Sequence, residues 1–175
     1  MFKRILLIIF FTITDIAISY SQPYCNIRTF NIRDGLPADI ISEIAQTKDN
    51  ILWVATWNGL CCYDGYKFTI FRDVPGKNEV LTTNRLLKIK PDKFNNIWCI
   101  THDRQVNLFD THTCRFLNNN QVLCNKAGVK DLNVHNVYSL NNGYTWIICN
   151  CKDKINFRIN EAKNVLQNIE IIRGK

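Results

Sequence analysis

Nowhere in the 175 residues is there an apolar run of bilayer-spanning length, a helical period sustained between caps, or a linker of low complexity. A spanning helix needs about 20 apolar residues, so the first absence argues against one. The second argues against an α-helical fold, and the third leaves no boundary at which to divide the chain into independent domains. Chemistry-bearing patterns are equally scarce. His102, His112 and His135 lack the H-E-x-x-H type of spacing that sets two ligands on one face. No serine or cysteine stands in a recognisable nucleophile motif. Negative charge is in short supply, with 15 Asp and Glu against 22 Lys and Arg. The basic residues are scattered singly, apart from Lys3-Arg4 and the Arg173/Lys175 end. The excess of +7 therefore reads as a solvated surface and not as a nucleic-acid footprint.

Core-forming residues, by contrast, are plentiful. Four Trp, six Tyr and ten Phe, with 46% hydrophobic and 21% charged residues, suit a folded chain and not a disordered one. At the start, Lys3 and Arg4 precede the apolar or near-apolar run Ile5 to Ile13, and Ser19-Tyr20-Ser21 places small residues before a cut at Gln22. That order predicts a secretory signal peptide over residues 1–21, whose apolar stretch is about 7–15 residues long, and a periplasmic product. Asp15 interrupts the run too early for a span. Cys25 lacks the Leu-x-Gly/Ala-Cys pattern of a lipoprotein.

Export bears on the eight cysteines, Cys25, Cys61, Cys62, Cys99, Cys114, Cys124, Cys149 and Cys151. An oxidising compartment permits disulfides, but several of these residues lie in strand-like runs where Val or Ile would serve, the behaviour of a small buried hydrophobe. Cys61 and Cys62 are adjacent and point to opposite faces of a strand, which opposes a bond between them. Cys149 and Cys151 share one face, yet no second pair has matching spacing, so no metal or other cofactor is expected.

A repeat fills the rest. Ala38–Thr56, Thr83–Thr101 and Asn133–Asn150 align, each an alternating apolar run, a polar turn and an apolar run holding a Trp. The tryptophans are Trp53, Trp98 and Trp146, at spacings 98 − 53 = 45 and 146 − 98 = 48. Repeats of about 40–50 residues built from short strands have the size of a propeller blade. The first repeat predicts strands at Ile40–Ala45, Ile51–Ala55, Leu60–Tyr63 and Tyr66–Phe71, with turns at Lys48-Asp49-Asn50, Trp57-Asn58-Gly59 and Asp64-Gly65. The second predicts Ile97–Ile100, Val106–Phe109 and a strand at Phe116; the third predicts Tyr144–Cys149 and Ile155–Ile159. Asn118–Asn120 reads as a turn-prone loop, and Glu161–Ile172 as a short helix or a strand. The expected fold is all-β: a partial β-propeller of about three blades of four-stranded antiparallel sheet, over about 32–72, 78–118 and 128–170. Residues 25–31 are expected to add a strand to a neighbouring or closing blade.

Asp34-Gly35-Leu36-Pro37, Ile40-Ile41, Trp53-Val54-Ala55-Thr56, Asn58-Gly59-Leu60 and Tyr63-Asp64-Gly65 together resemble the two-component regulator propeller repeat. The second repeat keeps Asn96-Ile97-Trp98, Thr101 and Phe109-Asp110 but has Asp103-Arg104 where that family has Gly-Leu. The third keeps Gly143 and Trp146. The resemblance, over about residues 27–160, implies the N-terminal periplasmic sensor region of a hybrid histidine kinase, of the kind that detects polysaccharide breakdown products. It implies a sensing role and no enzyme, since no kinase or receiver domain and no second membrane segment is present here.

A ring needs at least four blades, so the chain reads as a fragment, a truncated product or part of a larger assembly. Its partners are then the remaining blades or a homo-oligomer, and a small ligand such as an oligosaccharide. No nucleic acid is expected, and the membrane would be reached only through the full-length sensor. The rival readings are a truncated structural or interaction propeller with no independent function, and a propeller lyase or hydrolase. The latter would need a cluster of His, Glu or metal ligands that is missing. Trp53, Trp98, Trp146, Gly35, Leu36, Gly59 and Leu60 read as the repeat's structural core. Trp57, Asn58, Asp103 and Arg104, in equivalent turns, are the candidate ligand contacts, with Trp57 foremost because it sits in a turn. Asp34, Asp64, Asp49 and Asp92 read as turn residues.

Overall fold

The apolar runs around the three tryptophans become the second strand of three separate sheets in a computed structural model of the chain, which describes residues 3–4, 25–73, 81–150, 155–160 and 169–174. The first sheet is β1 (Ile41–Gln46), β2 (Leu52–Thr56), β3 (Gly59–Tyr63) and β4 (Phe68–Phe71). The second is β5 (Leu86–Pro91), β6 (Ile97–Thr101), β7 (Val106–Asp110) and β8 (Arg115–Leu117). The third is β9 (Val134–Ser139), β10 (Tyr144–Cys149), β11 (Ile155–Asn160) and β12 (Ile169–Arg173). Each is an antiparallel meander in which sequence neighbours are sheet neighbours. The uncharged run of β6 is buried along its whole length, as a strand covered on both faces must be.

The repeat is visible in backbone detail. In the β1–β2, β5–β6 and β9–β10 turns, the backbone N–H of Thr47, Asp92 and Leu140 donates to the carbonyl of Ile51, Asn96 and Tyr144. Each turn then needs one left-handed residue, supplied by Asn50 (φ 65°), Asn95 (φ 68°) and Gly143 (φ 83°). Asn tolerates this region better than other side chains and glycine best of all. A register shift also recurs near the start of each first strand, between Ile41 and Glu43, between Leu86 and Lys88, and opposite Ile148/Cys149 in β9. Bulges of this kind bend a strand and raise its twist. In the β3–β4 and β7–β8 hairpins, Asp64 accepts from the N–H of Lys67 and Tyr66, and Asp110 from the N–H of His112 and Thr113. The Lys67 and Tyr66 bonds hold the Asp64 carboxyl below the usual range. For Asp110, burial pushes the carboxyl up, but the Thr113 hydroxyl and the two N–H groups outweigh it and leave it lowered.

The sheets stack face to face with their first strands together. Glu43 of β1 accepts from the Ile89 N–H of β5 at 2.7 Å and pairs with Lys90 Nζ at 2.6 Å. Lys88 Nζ reaches the His135 carbonyl of β9 at 3.4 Å. Between the first two sheets, Trp53 and Phe71 meet Phe109 at centroid distances of 5.6 and 4.7 Å, and Phe109 meets Phe116 at 4.9 Å. Leu60, Leu86, Ile89 and Ile97 complete that core. Between the second and third sheets lie Trp98, Leu108, Val137, Ile147 and Phe157. Trp53 and Trp98 thus each pack forward onto the next sheet. Trp146 faces a side on which no further described sheet stands; it is half-buried, with the Arg158 guanidinium 5.9 Å from its ring. Leu36 is buried, and Gly59, at φ 110°, has the Phe71 carbonyl 2.6 Å from where a Cβ would stand.

One segment departs from the sequence reading. Asn118–Asn120 is not a loop: Asn118 caps α1 (Asn119–Ala127) by accepting from the Gln121 N–H, and Asn119 and Asn120 form its first turn. The helix persists because Asn120, Leu123, Cys124 and Ala127 make one buried stripe against the second and third sheets, and Gly128 closes it in a left-handed conformation. Residues 25–31 enter no sheet here; Phe30 instead lies on Tyr63 and Phe68 at 5.1 and 5.3 Å. Ile169–Arg173 is strand, while residues 161–168, Cys151 and most of the expected signal peptide lie outside the described residues.

The unequal covering of the aromatic residues sets how much each contributes to stability. Phe109→Ala should cost about 3–5 kcal/mol and Trp146→Ala only about 1–2 kcal/mol, measured by urea unfolding of the two variants. Because the folded-state Asp110 carboxyl is lowered, its contribution is present above the ordinary Asp value near pH ~4 and is lost as the pH falls further. Asp110→Asn should therefore flatten the acid limb of the stability curve while lowering stability near neutrality.

Candidate functional site

The β2–β3 and β6–β7 turns emerge at the same end of adjacent sheets, bringing together the segments that hold Trp57-Asn58 and Asp103-Arg104. Their side chains do different things. Asn58 is occupied on both ends of its amide: Nδ2 donates to the Pro37 carbonyl at 3.1 Å, and Oδ1 accepts from Arg72 at 3.3 Å. Both Asp103 oxygens accept from hydroxyls, Oδ1 from Thr101 and Oδ2 from Thr82, at 2.5 Å each. Arg104 sits at φ 66°, and its carbonyl accepts from the Val134 N–H at 2.9 Å, tying this turn to the third sheet. These three residues organise the loops around them. Trp57 is different: it is 41% exposed.

Trp57 also has two neighbours, Arg85, which the sequence reading did not name, and His102, which precedes Asp103-Arg104 in the equivalent turn. Arg85 places its guanidinium 5.3 Å from the Trp57 ring centre, a cation–π distance, and the His102 ring meets Trp57 edge-on at 6.0 Å. The His102 backbone N–H donates to the Arg85 carbonyl at 2.8 Å, extending the β5–β6 ladder by one pair, so these two residues are fixed relative to each other. The result is an exposed ledge of one indole, one guanidinium and one imidazole. It can hold a flat or hydroxylated molecule against the indole edge and offer it donors from Arg85 and His102. His102 was findable, since it stands where the repeat alignment puts Trp57. Arg85 carries no sequence signal of its own.

Among the described residues there is no group of three or more His, Cys, Asp or Glu that could hold a metal ion. Cys61, Cys62 and Cys99, all on strands, are poor nucleophiles. Burial, and then the neighbouring Cys62, push the Cys61 thiol up to about 12, and burial alone pushes Cys99 up as well. Cys62 and Cys124 are also raised, chiefly by burial. A thiol held protonated does not attack.

Residues 35–58 match the family model described as two component regulator propeller. Those residues run from Gly35 through the first turn of the ledge, to Asn58. No curated protein matches the chain. Among solved structures, it is similar to the extracellular domain of the hybrid two component system BT3049 of B. thetaiotaomicron, at 14% identity and a TM-score of 0.56 over 87% of this chain. It is also similar to the extracellular domain of BT4673 from the same organism, at 20% identity and a TM-score of 0.56 over 82% of this chain. In both cases it covers 20% of the other chain, so it spans about a fifth of their length. The likeness establishes the fold: three four-stranded antiparallel blades of a propeller. No helix among the described residues is long and apolar enough to cross a membrane.

Alkylation at mildly alkaline pH should separate the cysteines. Cys25 and Cys114, both exposed, are expected to label in the native protein, whereas Cys61 and Cys99 should label only after denaturation. Peptide mapping by mass spectrometry reads the result.

Proposed function

We propose that this chain forms part of the extracytoplasmic, non-catalytic recognition region of a two-component sensor, exported by the signal peptide at residues 1–21. The observation that carries the reading is the family match at residues 35–58, which ends at the exposed turn. The extracellular sensor domains that share the fold support it. In this role the blades are a rigid frame and the turns carry recognition. Trp57, flanked by Arg85 and His102, is the foremost contact for a small hydroxylated ligand, and an oligosaccharide fits that chemistry. Asn58, Asp103 and Arg104 hold the two turns in place.

A second reading keeps the same fold but gives the chain no ligand, only a role in assembly. It is favoured by the apolar hollow of about 220 Å³ on the first sheet, lined by Phe30, Leu36, Ile41, Ile44, Val54 and Phe68, among others. Such a surface suits a further blade or a second copy.

The test uses the exported chain. N-terminal sequencing of the periplasmic fraction should give Gln22 as the first residue. Titrating the purified product with an oligosaccharide panel should give a saturable signal that Trp57→Ala weakens by about tenfold, in line with the loss of one well-packed aromatic contact. A chain retained in the cytoplasm, or one that binds no member of the panel and elutes as a stable oligomer, would sink the sensor reading in favour of the second.

A further inference from the structure

Arg85 brings to the ledge a positive charge that the surrounding side chains do not neutralise. Its guanidinium lies 5.3 Å from the Trp57 ring centre, while its backbone N–H donates to the Thr83 hydroxyl at 3.2 Å. Among the described residues no acceptor takes its guanidinium N–H groups. The ion pairs among those residues are Lys90–Glu43 and Arg158–Glu170, and neither includes an arginine of this turn. The carboxylate of the equivalent turn, Asp103, accepts from the Thr101 and Thr82 hydroxyls and not from Arg85.

A second arginine reaches the same turn. Arg72 Nη1 donates to Asn58 Oδ1 at 3.3 Å, and it too has no carboxylate partner among the described residues. Both arginines are exposed, as is Trp57. An indole face stabilises a cation without cancelling its charge. A guanidinium held in this way keeps its planar set of donors and has less freedom to lose when an oxyanion arrives.

We propose that the Trp57 ledge selects acidic sugars, with the indole surface that Arg85 leaves open against the sugar and the Arg85 guanidinium on its oxyanion. The inference rests on the ledge being a sugar contact and adds the charge of the ligand. The oxyanion is a carboxylate or a sulfate ester, and both offer paired acceptor oxygens to a guanidinium. Hydrogen bonds between two charged groups are roughly twice as strong as neutral ones, so the preference over a neutral sugar comes from this contact.

Calorimetric titration of the full chain with two matched pairs tests it: trigalacturonate with its methyl ester, and a sulfated carrageenan disaccharide with its desulfated form. At least one acid should bind about tenfold more tightly than its neutral match, the scale of a charged hydrogen bond, and added salt should narrow the gap. The pair that separates identifies the oxyanion. R85Q should remove the preference and leave the neutral form's affinity in place, and R85K should keep part of it. W57A should weaken both members of the pair. K48Q, which removes an exposed charge in the β1–β2 turn at the opposite end of β2, should change neither. If acid and neutral forms bind equally, or R85Q weakens both alike, Arg85 only packs against Trp57; the proposal falls and sugar contact at the ledge stands. A preference that survives R85Q places the oxyanion elsewhere and also overturns the proposal. If no member of either pair binds, the ledge reading falls with it. Circular dichroism verifies that each variant folds, and if R85Q does not, R85K decides by whether it loses part of the preference.

Discussion

A four-stranded sheet with two apolar faces cannot bury both by itself, and the rest of this molecule answers to that constraint. Blade-to-blade packing supplies what a single sheet lacks, through the Trp53, Phe71 and Phe109 cluster on one side of the second sheet and the Trp98, Ile147 and Phe157 cluster on the other. The second sheet, covered twice, holds β6 with every residue buried. Among the described residues, the first and third each pack against one neighbouring sheet, and their remaining faces show what is left over: Ile41, Ile44 and Leu52 exposed on β1 and β2, and Trp146 half-buried on β10. Repeat proteins distribute stability in this manner, as intrinsic repeat terms plus interfaces between neighbours. Polar contacts add register to the apolar packing. Glu43 fixes β1 against β5, and Lys88 fixes β5 against β9.

Much of this was legible in the residues. The 45- and 48-residue spacings of the tryptophans are also the spacings of the left-handed turn residues Asn50, Asn95 and Gly143, and all reflect one unit of chain per blade. Strand limits agreed to within one or two residues because the runs are short and bounded by turn chemistry. The helix α1 was missed for a physical reason: its first turn is Asn119-Asn120, poor helix formers, and its buried stripe holds only Leu123, Cys124 and Ala127 besides Asn120. The cues that remained were the cap pair Asn118 and Gln121 and the closing Gly128, too little against an expectation of strand.

The candidate site was legible in part. Equivalence between repeats led to the two turns, and structure then divided their residues by hydrogen bonding. Asn58 and Asp103 are committed to neighbours, which no spacing could reveal, because Pro37, Arg72 and Thr82 come from elsewhere in the chain. Trp98 illustrates the same limit inside the core. Trp53 donates its indole N–H to the Thr47 hydroxyl, whereas the second blade has Asp92 at that position, turned to its own backbone, and the Trp98 indole nitrogen is buried with no partner among the described residues. The two tryptophans look alike in the repeat alignment and differ in what their turns leave available.

The forward packing of Trp53 and Trp98 gives assembly an order in time. On a ribosome the first blade is made before the second, so Trp53 has no Phe109 to meet until the chain between them has emerged. Each new blade then completes its predecessor and presents an unfinished surface of its own. Growth by this route resembles zipping more than collapse, and the most recently made face is always the adhesive one. If the chain is exported as proposed, that places the hazard of mispairing in the compartment where translocation ends, and makes the rate at which the next blade arrives part of what keeps the last one soluble.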